Sequence, residues 1–215
     1  MYADAYEQEF FRIRNKPITI LEIGVDRGGS LEVWKEFLPR AAVYGIDINP
    51  TCAKSKNIFI GDQRDRPFLY DVFHRIGGAD IVIDDGSHIT SHQQQSLDIL
   101  FPLLNLGGIY VIEDLYTSYP SPFHSCYVDG ISTVDYLKNT LDKLNEGGRS
   151  PDTCPIPTTV LSIRFYRGIC FFLKKTSRQI SQIKLIEPPP TQPPSGLLRR
   201  DNALSEDKEN SRNKE

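Results

Sequence analysis

ITILEIGVDRGGSLEVWKEFLPRAAVYGIDI, residues 18–48, reads as a strand, a glycine-rich turn, a helix and a second strand. ITILEIG (18–24) is a short apolar run stopped by a glycine, the pattern of a buried strand. GSLEVWKEFL (29–38) carries Leu31, Trp34, Phe37 and Leu38 at helical spacing and stops before Pro39. AVYGIDI (42–48) is apolar again. A strand, helix and strand of these lengths make one βαβ unit, which implies a parallel pair.

Outward from this unit the pattern repeats. NIFIGD (57–62) is a third strand. PFLYDVFHRI (67–76) is a helix opened by proline and closed by Gly77-Gly78. ADIVIDD (79–85) is a fourth strand, SHQQQSLDILFPLL (91–104) a helix and GGIYVIED (107–114) a fifth strand. TVDYLKNTLDKLN (133–145) places Val134, Leu137, Leu141 and Leu144 on one helical face. LSIRFYRGICFFLKK (161–175) is two apolar strands about Arg167-Gly168, a hairpin signal. The sequence therefore predicts an α/β domain over residues 1–175: a Rossmann-like, doubly wound, mostly parallel sheet with a C-terminal antiparallel hairpin. Residues 1–16 form an N-terminal helical segment. After Lys175 come EPPPTQPPSG and RRDNALSEDKENSRNKE, with little to bury, so 176–215 is expected to be a disordered Pro-rich, charged tail.

Composition narrows the class. A chain of 215 residues can bury a core, and a net charge of −3 argues against nucleic-acid or anionic-membrane partners. Cys52, Cys126, Cys154 and Cys170 form no CxxC pair, which disfavours a zinc site or a disulfide framework. MYADAYEQEFFRIR lacks the apolar core of a signal peptide, and no run approaches the roughly 18 apolar residues of a membrane span. A soluble cytoplasmic protein is expected.

The turn after the first strand, LEIGVDRGGS, holds Gly24, Gly28 and Gly29. Glycines there admit a ligand to the backbone and leave helix N–H groups facing it. A dinucleotide fingerprint would need glycine where Asp26 stands, and a pyrophosphate would be repelled by that carboxylate. An acid–x–G–x–x–x–G pattern suits a cationic amine and sulfonium instead. Asp47 ends the second strand where a carboxylate can accept two ribose hydroxyls. Asp62 and Gln63 follow the third strand, where they could meet an adenine edge. The bland alternative is a tight turn, with Asp47 opening an Asx turn before Pro50.

IDDGSH sets Asp84 and Asp85 at the end of the fourth strand with His88 three residues on. YVIED sets Glu113 and Asp114 at the equivalent end of the fifth. Adjacent strands lie about 4.8 Å apart, so these acids converge if the two strands are neighbours. Clustered carboxylates repel unless protonated or bridged by a cation, and oxygen donors suit Mg²⁺ or Mn²⁺. The alternative is that Asp85 caps a helix and Glu113-Asp114 is a polar loop, although Ser87, Thr90 and Ser91 already offer caps. His88, beside the carboxylates, is placed to deprotonate an acceptor hydroxyl, which sets it apart from His74, His92 and His124. YTSYPSPFHSCY (116–127) reads either as a substrate-facing loop, since sugar rings stack on aromatics, or as an ordinary surface connection.

LEIGVDRGGSLEVWKEFLPRAAVYGIDI, GDQRD, DIVIDDGSH, LFPLLNLGGIYVIEDLYTSY and SIRFYRGICFFLKK together resemble the metal-dependent macrolide and sugar O-methyltransferases. A related group is labelled cephalosporin hydroxylase but shares the class I S-adenosylmethionine-dependent methyltransferase fold. The resemblance covers about residues 2–175 and is most specific at IDDGSH and YVIEDLYTSY. It implies Asp85, Glu113 and Asp114 as Mg²⁺ or Mn²⁺ ligands and His88 as general base. Glu22, Gly24, Gly28, Asp47, Asp62, Gln63 and Asp84 are the expected cofactor contacts. Catechol methyltransferases are more distantly similar, with a lysine where His88 stands. Family members usually carry more chain before the segment resembling MYADAYEQEFF, including a Gly- and Lys-containing stretch that helps close the cofactor site. Weaker cofactor binding is expected without it.

The reading is thus an S-adenosylmethionine-dependent, Mg-assisted O-methyltransferase acting on a hydroxyl of a sugar or secondary metabolite. The expected partner is a small hydroxylated acceptor, with neither nucleic acid nor membrane; a homo-oligomer is compatible with all of this. A catechol or phenol methyltransferase and a degenerate, non-catalytic cofactor-binding protein are the alternatives.

Overall fold

A computed structural model of the chain describes residues 2–120, 128–145 and 159–186. Seven strands form one sheet in the order β3-β2-β1-β4-β5-β7-β6. They are β1 (Thr19–Ile23), β2 (Ala42–Asp47), β3 (Ile58–Ile60), β4 (Ile81–Asp84), β5 (Ile109–Ile112), β6 (Val160–Tyr166) and β7 (Ile169–Lys174). The first five are parallel; β7 runs antiparallel to both β5 and β6. The expected doubly wound sheet with its terminal hairpin is what forms, and β4 and β5 are neighbours as the acids required. Strand order reverses between β1 and β4, so their carboxyl ends open into the crevice where such sheets hold ligands.

Strand alternation sorts the core into two layers. Ile20, Ile81, Ile83, Ile109 and Val111 face α1 (Ala3–Phe10) and α2 (Gly29–Phe37), against Tyr6, Phe10, Leu31 and Trp34. Leu21, Ile23, Val82, Tyr110 and Ile112 face α3 (Arg66–Arg75), α4 (Thr90–Leu103) and α5 (Thr133–Asn145). β4 and β5 are buried at every residue, the signature of central parallel strands. On α5, Leu137 is fully buried and Val134 and Leu144 pack partly against the core, while Leu141 is exposed.

Local chemistry sets the helix ends. Asp65 caps α3 by accepting from the Phe68 N–H at 3.2 Å, with Pro67 in the first turn. Gly77 and Gly78 end it at φ of 75° and 93°. Neither Ser87 nor Thr90 caps α4. Asp129, from the segment before α5, accepts from the Ser91 N–H at 2.9 Å, from Thr90 Oγ1 at 2.9 Å and from Ser91 Oγ. At the other end of α4, the buried Lys174 of β7 donates through Nζ to the carbonyls of Phe101, Pro102 and Leu104 at 3.2, 2.7 and 2.6 Å.

One expectation is corrected. Disorder was expected from Thr176, but Ser177–Ile186 form a helix, the sixth among the described residues and here α6. Its three-residue apolar spacing (Ile180, Ile183) lay hidden beside the proline cluster that follows. The rest of the expected tail, and 121–127 of the aromatic segment, lie outside the described residues. Among the described residues no helix is long and apolar enough to cross a membrane.

Candidate active site

The glycine turn is built around two backbone demands. Gly24 has φ of 93°, and a Cβ there would lie 2.1 Å from the Asp85 carbonyl oxygen. Its lack of a side chain therefore serves the contact between the β1 and β4 ends, rather than only ligand approach. Gly28, at φ of 83°, begins α2 with open space around it. Asp47 ties the turn down: one carboxylate oxygen accepts from the Val25 and Asp26 N–H groups, both at 2.9 Å, and the other from the Asn49 N–H at 2.8 Å. Burial works against its ionisation, but these N–H bonds win and hold its pKa below the ordinary value.

A pocket opens here, lined by Gly24, Asp47, Ile48, Asp62, Gln63, Arg64, Gly86, Ser87 and His92 among others. Four predicted contacts, Gly24, Asp47, Asp62 and Gln63, thus share one wall. Gln63 bridges the crevice: its Oε1 accepts from the Ser87 N–H at 2.9 Å, and its Nε2 donates to Ser96 Oγ at 3.0 Å and Asp84 Oδ1 at 3.3 Å. Asp62 is clamped by Arg64, with Nη2 at 2.6 Å.

Glu22 and Asp84 sit behind the pocket rather than on its wall. Asp84 is fully buried and also accepts from Tyr110 Oη at 3.2 Å; desolvation pushes its pKa up to about 6. Glu22 is 1% exposed and accepts from Trp34 Nε1 at 2.6 Å and from Ser30 Oγ on α2. Burial pushes it up to about 7 despite those bonds. Sequence reasoning missed His92 and Ser87 as pocket residues; they face each other at 2.8 Å, with His92 in the first turn of α4.

Beyond Gly86 the acids converge. One donor atom each of Asp85, His88 and Asp114 lie within 4.8 Å of one another, and His88 Nε2 is 3.8 Å from Asp114 Oδ2. His88 and Asp114 both adopt left-handed backbone, φ 60° and 55°, in the segments that follow β4 and β5. Asp85 is pushed up to about 8 by burial and then by the charges of Glu113, Asp114, Glu22 and Asp84. Burial lowers the pKa of His88, with Asp114 opposing. Acids gathered this closely and this far from water mark a place where a cation would stabilise several of them together. Carboxylate oxygens dominate the donor set, which fits Mg²⁺ or Mn²⁺. Glu113, expected as a ligand, lies outside the closest group and accepts from Tyr6 Oη. Asp114 accepts from Tyr2 Oη at 2.6 Å and Tyr116 Oη at 2.9 Å. Tyr2 and Tyr6 too were missed, whereas Tyr116 opens the aromatic segment already singled out in the sequence.

No protein-family model matches the chain. It is similar to 8-demethyl-8-alpha-L-rhamnosyl tetracenomycin-C 2'-O-methyltransferase of Streptomyces olivaceus, 39% identical over 82% of this chain and 50% of that protein. It is also similar to mycinamicin VI 2''-O-methyltransferase of Micromonospora griseorubida, 44% identical over 79% of this chain and 47% of the relative. The solved structure of the MycE methyltransferase from the mycinamycin biosynthetic pathway, in complex with Mg and SAH, has a TM-score of 0.70 at 34% identity, covering 81% of this chain and 50% of that one. A further MycE structure also holds mycinamycin VI, with a TM-score of 0.70 at 32% identity, over 81% of this chain and 49% of that one. The chain spans about half the length of the curated relatives it matches. By sequence and fold together, the chain is similar, over about half their length, to sugar O-methyltransferases of macrolide and tetracenomycin pathways, and it has the Rossmann-like methyltransferase fold.

Proposed function

We propose that the chain is the cofactor- and metal-holding unit of an S-adenosylmethionine-dependent, Mg-assisted O-methyltransferase, whose acceptor is a hydroxyl of a sugar on a glycosylated metabolite. The observation that carries this is the convergence of Asp85, His88 and Asp114 beside a pocket walled by Gly24, Asp47, Asp62 and Gln63. Its support is the relative whose structure holds Mg and SAH in the same fold.

S-adenosylmethionine would supply the electrophilic methyl group, and a bound Mg²⁺ would supply Lewis acidity at the acceptor oxygen. Asp85 and Asp114 would hold the cation, with Glu113 at its edge. Asp47, Asp62 and Gln63 would hold the nucleoside, and Glu22 and Asp84 would brace the turns from behind. Gly24 keeps those two turns in contact, so donor and acceptor groups face one crevice and the in-line approach of methyl transfer can be set by position. His88 would take the acceptor proton. Its place within the donor group gives it a second reading, as a ligand in the position expected of Glu113.

Calorimetry with S-adenosylhomocysteine, with and without Mg²⁺, tests the cofactor and metal reading: binding of both is expected, and failure to bind the nucleoside overturns it. His88→Ala separates the two roles. A base predicts turnover on a sugar acceptor reduced by about 10²–10⁴-fold with Mn²⁺ affinity unchanged. A ligand predicts that Mn²⁺ affinity falls with it. Near-normal turnover removes His88 from the chemistry.

A further inference from the structure

Helix α1 reaches across the carboxyl end of β5 and sets one tyrosine hydroxyl on each member of its acid pair. Tyr6 Oη donates to Glu113, and Tyr2 Oη donates to Asp114 at 2.6 Å, lying also 3.3 Å from the Gly168 carbonyl. Tyr2 is the N-cap of α1, its carbonyl accepting from the Tyr6 N–H at 3.0 Å, so the two tyrosines are one turn apart and both hydroxyls reach the same acid pair. The Tyr6 ring cannot swing away. It is 7% exposed and is held by Phe10, Trp34 and Phe171 at centroid distances of 5.2, 4.7 and 5.4 Å. Glu9, on the same helix, fixes α1 to the sheet edge through Arg164 Nη1 at 2.5 Å and Tyr166 Oη at 2.7 Å.

We propose that Tyr2 and Tyr6 are positioning residues for the divalent-cation centre, so that docking of α1 and cation binding are coupled. The inference rests on the metal reading above. A carboxylate offers about four lone-pair sites; a phenol that occupies one fixes the plane of the group and leaves the others free. Without the Tyr6 bond Glu113 would rotate among orientations, and without the Tyr2 bond Asp114 would be held by Tyr116 alone, so a cation would have to complete their ordering on binding. Groups that orient a metal's ligands typically contribute 10–100-fold in affinity. The coupling is reciprocal: if α1 favours the cation, the cation must favour docked α1.

The test uses the full chain and Mn²⁺ alone, titrated by electron paramagnetic resonance well below the melting temperature. Tyr2→Phe and Tyr6→Phe keep the rings and remove only the hydroxyls; Tyr2→Phe should weaken Mn²⁺ by about 10–100-fold, and Tyr6→Phe should weaken it less, since Glu113 lies outside the closest donor group. Glu9→Gln, which loosens the same helix away from the acids, should leave Mn²⁺ affinity within a few-fold of normal. In the unaltered chain, Mn²⁺ should slow hydrogen exchange of the α1 amides. If Tyr6→Phe fails to fold, Tyr2→Phe, at a less buried position, reads the same coupling. Tight Mn²⁺ binding by the unaltered chain and equally tight binding by both phenylalanine variants overturns the inference and leaves the metal reading standing. Weakening by Glu9→Gln equal to that of the tyrosine variants also overturns it, since affinity would then follow the helix's contact with the sheet edge and not the two hydroxyls that couple α1 to the acids. Absence of Mn²⁺ binding in the unaltered chain sinks the metal reading and this inference together.

Discussion

Glu22 shows how a single buried carboxyl can link the turn to pH. It is 1% exposed, shielded by α2, and bonded to Ser30 and Trp34. A folded pKa of about 7 against an ordinary 4.5 means that the native state binds the proton more tightly than the unfolded chain. Its contribution to stability is therefore present at low pH, falls as pH rises through that window, and is flat beyond about 7. Glu22→Gln abolishes this titration, so the stability difference between variant and unaltered chain should shift toward the variant by at most about 3 kcal/mol as pH rises from about 4.5 to about 7. Denaturant unfolding at both ends of the window measures it; parallel pH dependences would show that Glu22 stays ionised. At this scale the site was only partly legible. Asp47, Asp62, Gln63 and Asp85 follow strand ends, where position along the chain announces position in space. Tyr2 and Tyr6 meet acids 112 and 107 residues away, and no local pattern marks such a pairing. The same holds for Glu22: its place before Gly24 is legible, but its orientation toward α2 depends on the strand's pleat.

The elements were far more legible than their fastenings. Apolar runs of strand length and helix-spaced leucines are local signals, and each gave an element within a few residues of its bounds. The cap of α4 is not local. It comes from Asp129, 38 residues from Ser91, while the nearby Ser87 turns to His92 instead. The Ser91 hydroxyl and N–H bonds outweigh burial and hold Asp129 down to about 2. A depressed carboxylate stabilises above its unfolded pKa, and that stabilisation is lost as pH falls from about 4 toward about 2. Asp129→Asn should flatten this acid limb and cost roughly 1 kcal/mol at neutral pH, in line with cap losses and with the exposure of the group. Acid-unfolding curves for the two proteins provide the comparison; superimposable curves would mean that the cap carries no stability. Since this cap lies two residues beyond His88, a loosened α4 start should also broaden the His88 ring signal in NMR spectra.

At the scale of the whole molecule, the sheet order explains why one crevice collects everything. β1 and β4 diverge in connection, β4 and β5 carry the acids, and the β6–β7 hairpin closes the edge so that its Gly168 turn meets both the Leu115 N–H and Tyr2. The hairpin does one thing more. Lys174, 4% exposed, plugs the end of α4, while the next residue, Lys175, is partly exposed. Two adjacent lysines therefore differ in access by design of the fold. An amine-acylating reagent should mark Lys175 in the folded protein and spare Lys174 until β7 leaves the sheet. The ratio of label on these neighbours, read from a single peptide by mass spectrometry, would then serve as an internal gauge of global opening, independent of protein concentration or of any bound ligand's own signal. Equal labelling under native conditions would show that β7 detaches while the rest of the sheet holds.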